Sequence, residues 1–181
     1  DKIKYLIIAV AVLLVAAVVI FSHMRSAARA RDNADRNQVF QAMIDVSGKP
    51  AAEAVPVFAK ASKEYAGTPA GAQATLLQYS FAYDARDYPA AEQAIREFIK
   101  AYPQSAMISR ARLALGQVLA QQNKNAEAIP TFRQLRATND VDTRAEAKLA
   151  LAQTLEKDAE SVRDNPDQYA SRLEDARAEY L

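Results

Sequence analysis

The stretch Ala72–Pro103, AQATLLQYSFAYDARDYPAAEQAIREFIKAYP, decides the fold, because the chain goes on to repeat it. Ser109–Asp140, SRARLALGQVLAQQNKNAEAIPTFRQLRATND, lies over it at an offset of 37 residues. In that register Tyr79 falls on Gly116, Ala91 on Ala128, Ile95 on Phe132 and Phe98 on Leu135. A further step of 36 carries Ala111–Gln117 (ARLALGQ) onto Ala147–Gln153 (AKLALAQ). A degenerate half precedes them in Pro50–Pro69, with Ala54, Phe58 and Ala61 at the second-helix positions. Self-similarity at this period marks stacked helix pairs, each unable to bury its apolar face alone. Breaks at Gly67-Thr68-Pro69, Arg86–Pro89, Tyr102–Ser105, Asn123–Asn125, Thr138–Asp140 and Asp164–Pro166 leave helices of about 13–17 residues between them.

The spacing has a simple physical reading. A small residue (Gly116, Ala152, Ala91, Ala128) lets two helices approach, and a large one (Ile95, Phe132, Phe58) fills the gap beside it. Each buried Leu or Phe contributes about 1.5–3 kcal/mol. With Leu115-Gly116 in the first helix, Ala and a large apolar residue in the second, and Pro103 at the end, the unit resembles the tetratricopeptide repeat. The third copy departs from it. After Ala145–Glu156 a second helix is due near Ala159, but Asp158–Gln168 is polar and contains Asn165-Pro166. A helix is expected to resume at Tyr169–Leu181, with Tyr169, Leu173, Ala176 and Tyr180 on one face.

Outward to the N-terminus lies Ile3–Phe21, IKYLIIAVAVLLVAAVVIF, with a single charge and no Pro or Gly. At about 1.5 Å per residue it reaches roughly 28 Å, near the thickness of a bilayer core. It is longer than the core of a cleaved signal peptide, and no breaker follows it. The expectation is a transmembrane helix, with Tyr5 as an interfacial aromatic. From Ser22 to Ser47 nothing interrupts a helix, so the span should run on as a stalk, with Arg25, Arg29, Asp32 and Arg36 at i,i+3 and i,i+4 spacing. Val39, Phe40, Met43, Ile44 and Val46 supply an apolar face that should pack into the following domain, and Gly48-Lys49-Pro50 ends the helix. The fold class is therefore all-α: an anchor at 1–22, a stalk at 23–48 and a tetratricopeptide-repeat-like α-solenoid at 49–181. Counted literally, Arg25, Arg29, Arg31 and Arg36 against Lys2 and Lys4 put the C-terminal side in the cytoplasm.

This order of span, uninterrupted helix, Gly-Lys-Pro break and repeats is similar to the YfgM-like family of single-span envelope proteins. That resemblance implies an inner-membrane anchor, a periplasmic repeat domain, and association with the Sec translocon and a membrane-anchored chaperone. It therefore opposes the charge count on orientation. Phe58–Pro69 and Phe98–Ser105 also look like repeats of Tol-Pal-associated and outer-membrane-assembly proteins, which implies the alternative of a coordinator of envelope or division machinery, as an oligomer whose spans and stalks bundle.

Enzyme chemistry finds little support. There is no Cys, so no thiolate nucleophile or metal ligand, and the single imidazole, His23, sits alone beside Arg25. No glycine-rich phosphate loop occurs. The net charge of +1 gives no polyanion-binding signature. Glu53, Glu64, Glu92, Glu97, Asp84 and Asp87 read as solvated helix faces. No catalytic residue, cofactor or metal is expected, and no nucleic-acid partner. The candidate site is instead the concave face of the first helices of each pair, for protein partners. Projection puts Gln73, Leu76, Ser80, Tyr83 and Asp84 there from the first full repeat. Arg110, Leu113, Gln117 and Gln121 follow from the second, and Glu146, Leu149, Gln153 and Glu156 from the third.

Overall fold

A computed structural model describes residues 2–180; in the first helix, side chains are described mainly from Ile20 onward. Helix α1 runs Lys2–Asp45, α2 Ala51–Glu64, α3 Pro69–Asp84 and α4 Tyr88–Ala101. Helix α5 runs Ile108–Gln121, α6 Asn125–Gln134 with a 3₁₀ turn at Leu135–Ala137, α7 Val141–Glu160 and α8 Pro166–Tyr180. Among the described residues there is no strand. Each helix packs against the next, and α1 touches α3 as α5 touches α7. The result is a row of antiparallel pairs: α1 with α2, α3 with α4, α5 with α6, α7 with α8.

The repeat register is visible atom by atom. Phe58, Ile95 and Phe132 stand 37 residues apart on α2, α4 and α6, and all are buried. So are Ala54, Ala91 and Ala128. A β-carbon added to Gly116 would lie 2.4 Å from the Phe132 ring, so only glycine lets α5 and α6 come this close. One repeat earlier the sizes are exchanged, Tyr79 on α3 with the smaller Ile95 on α4 in one cluster. The turns inside these pairs also coincide. Arg86 and Asn123 both have positive φ (58° and 59°), and the following N–H groups of Asp87 and Lys124 reach back to Ala82 and Leu119, 2.9 Å in both cases. Thr68, Asp87 and Asp140 cap α3, α4 and α7 by accepting from Gly71, Ala90 and Thr143.

Several expectations need correction. Phe40 and Ile44 do not pack into the core; they are 50% and 49% exposed, while Val39 on the opposite side of α1 and Val46 just past its end are buried with Ala54 and Phe58. Among α2–α8 the range of helix lengths is wider than punctuation implied, from 10 residues in α6 to 20 in α7. Asp158–Glu160 are helical, because no left-handed residue stops α7 where Arg86 and Asn123 stop α3 and α5. Helix α8 begins at Pro166, three residues before Tyr169, because Pro fits a first helical position and Asn165 accepts from the Gln168 N–H. Leu173 and Tyr169 are half-buried and Ala176 is fully buried. The side chain of Tyr180 lies outside the described residues. So do nearly all the side chains of Ile3–Phe21, where the expected span falls, and among the described residues no helix is long and apolar enough to cross a membrane.

Candidate protein-binding groove

The first helices α3, α5 and α7 enclose a groove of about 360 Å³. Tyr83 comes from α3, Gln117 and Gln121 from α5, and Gln153 from α7, so four of the projected residues meet there. Sequence reasoning missed the rest of the lining: Ala120, Phe132, Ala150, Thr154 and Lys157. Phe132 was legible only as core; it is buried, yet it lines the groove beside Gly116. Lys157 was missed because α7 was ended too early.

The chemistry of this groove is that of amides and aromatic edges. Each glutamine carboxamide offers two N–H donors and one acceptor oxygen. Thr154 is committed to its own helix, donating to the Ala150 carbonyl at 2.7 Å. Tyr83 is held by a short aromatic ladder, 6.0 Å from Tyr79 and edge-on to Tyr88 at 5.6 Å. Burial, with Tyr83 and Asp84 nearby, pushes the Tyr79 hydroxyl up to about 12, so it stays neutral. Lys157 brings a positive charge to the rim.

The other projected residues scatter. Gln73 and Leu76 line a separate, more apolar hollow of about 780 Å³ with Phe98, Tyr102 and Met107, where α3 begins and α4 ends. Ser80 and Asp84 are exposed on α3 outside both hollows. Arg110 is exposed, 3.9 Å from Asp140. Glu146, Glu156 and Leu149 are exposed on α7 and line neither groove. Leu113 is a correction: it is 5% exposed and belongs to the main core, since α4, α6 and α7 flank α5 and cover its arc.

On another side of the second pair, Glu92 ties the repeats together. Its carboxylate accepts from Lys124 (2.7 Å), Arg96 (2.8 Å) and Gln122 (2.8 Å), and Arg96 also reaches Glu127 (2.8 Å). Partial burial on its own would raise its pKa. The hydrogen bonds from Lys124, Arg96 and Gln122 prevail and hold it at about 2. Among the described residues no group of acidic or imidazole side chains could hold a metal ion.

Stacked antiparallel helix pairs with a groove across their first helices define a helical-repeat solenoid, a class whose curved faces serve as binding surfaces. The tetratricopeptide repeat-like domain matches residues 2–160, and the chain belongs to that family. No curated protein matches it.

Proposed function

We propose that this chain is a non-enzymatic, membrane-anchored interaction protein that holds polypeptide partners in the groove between α3, α5 and α7. The observation that carries the reading is the convergence of Tyr83, Gln117, Gln121 and Gln153 from three successive repeats on one hollow. Carboxamides there can pair with main-chain amides, and the Tyr83 ring and Phe132 edge can take an apolar side chain. Family membership supports protein partners. The apolar run Ile3–Phe21 supports an anchor. An anchored groove works at high effective concentration against neighbours in the same bilayer, so modest affinity is enough. The resemblance to YfgM-like proteins extends this to the bacterial inner membrane, a periplasmic repeat domain, and a translocon or chaperone neighbour.

Site-specific photo-crosslinking in intact cells tests it. A photoreactive residue in place of Gln121 should give protein adducts that are lost with Tyr83→Glu, whereas one in place of Gln93 on α4 should give none. Equal adducts from both positions would overturn the reading.

A further inference from the structure

The first helix carries a three-four spacing twice, on opposite sides. Asp35, Val39, Ala42 and Val46 face the repeats, with Val39 fully buried and Val46 nearly so. Turned away from them, Ser26, Ala30, Asn33, Asn37, Phe40 and Ile44 follow one another at steps of four and three, and all six are exposed. None of the six is charged. Two large apolar side chains stand exposed in the last turns of α1, whereas at the other end of the stack α8 exposes no large apolar side chain among the described residues. There α8 presents Gln168, Ser171, Glu174 and Asp175 to solvent, as a capping helix does.

We infer that this outer stripe of α1 pairs in parallel with the same stripe of a second copy of the chain. The alternation of four and three is the heptad spacing of a two-stranded coiled coil, with Ala30, Asn37 and Ile44 at one core position and Ser26, Asn33 and Phe40 at the other. The flanking rows decide the partner and its direction. Arg36 lies on one flank, and Ala34 and Gln41 lie on the other. In a parallel pair Arg36 of one copy meets Gln41 of the other, so no like charges face each other. In an antiparallel pair the rows holding Arg36 come together, a like-charge contact that the Asp32 carboxylate, 3.3 Å from Arg36, offsets only in part. Asn37 then faces its own copy, and a carboxamide can both donate to and accept from its twin, the device that sets register in parallel pairs. The stripe runs roughly 27 Å from Ser26 to Ile44 at 1.5 Å per residue. With two large apolar residues per copy, pairing is weak in dilute solution and strengthens when copies share a bilayer. None of this depends on the groove between α3, α5 and α7.

Because the chain has no cysteine, single-cysteine variants report the contact directly. The full chain, purified and reconstituted alone in lipid vesicles, is oxidised with copper phenanthroline. Asn37→Cys and Ile44→Cys should give roughly ten-fold more disulfide-linked dimer than Asp45→Cys, because core positions meet across the pair and Asp45 points elsewhere. Adding Phe40→Asp to the Asn37→Cys chain should abolish that dimer with unchanged helical circular dichroism. Equal yields at the three positions, or none, would overturn the proposal. So would preferential linkage of a Ser26→Cys chain to an Ile44→Cys chain, which reports antiparallel packing. Adducts in native membranes that contain only a different protein would give the stripe to that protein instead.

Discussion

Gly116 has no room for a side chain, and neither has Gly71, where an added β-carbon would lie 2.1 Å from the Tyr65 carbonyl oxygen. A methyl group at Gly116 would press into the Phe132 ring at 2.4 Å. Gly116→Ala should cost about 1–3 kcal/mol in urea unfolding, the usual range for overpacking a tight contact. Phe132→Ile on that background should recover part of the loss, because the preceding repeat already combines a larger residue, Tyr79, with Ile95. Glu92 acts through charge. Its carboxyl is held at about 2 rather than 4.5, so between those values the native chain binds fewer protons than the unfolded one. Its contribution is therefore complete above about pH 4.5 and fades as pH falls toward 2. Glu92→Gln should cost about 1–2 kcal/mol at neutral pH, because Arg96 and Lys124 are nearly half exposed and screened. It should also flatten the fall of stability with acid between pH 4.5 and 2, as read from urea midpoints.

At the scale of an element, the turns within pairs carry a local cost. Arg86 adopts a left-handed backbone that suits glycine or asparagine, and Asn123 does the same at the equivalent place. Arg86→Gly should stabilise the chain by about 0.5–1 kcal/mol, less than the full left-handed penalty because glycine also loosens the unfolded state. Asn123→Gly should change little, and thermal melts of the two variants compare them directly. These turns also mark how far local signals reach. Thr68-Pro69, Asp87 and Asp140 announce helix starts in the sequence, and each is a cap or first-turn residue in the structure. The end of α7 was not legible, because a polar run such as Asp158–Glu160 is equally compatible with an exposed helix. Asp158 turns out to accept from Arg172 on α8 at 2.6 Å, a contact that only packing creates.

Over the whole molecule the core is divided among neighbouring repeats, not gathered at one centre. One cluster joins α4 to α8 through Phe98, Leu119, Phe132, Leu151 and Ala176, and another joins α1 to α3 around Phe58. In such a row each pair depends mainly on its neighbours, so damage at one end should stay there. Ala176→Arg puts a long charged group into a fully buried site on α8. Hydrogen exchange should then accelerate in α7 and α8 while amides of α2–α4 keep their protection; uniform acceleration would mean a single cooperative unit. By itself the sequence determined the helical class, the 37-residue register, the small and large positions of the pairs, and the breaks between helices, because all of these rest on local spacing and residue size. Which projected face residues share a hollow, the burial of Leu113, and the exposure of Phe40 and Ile44 were decided by tertiary structure alone. The reason is geometric: periodicity says that a helix has an apolar side, but only the neighbours packed around it decide how wide an arc they cover.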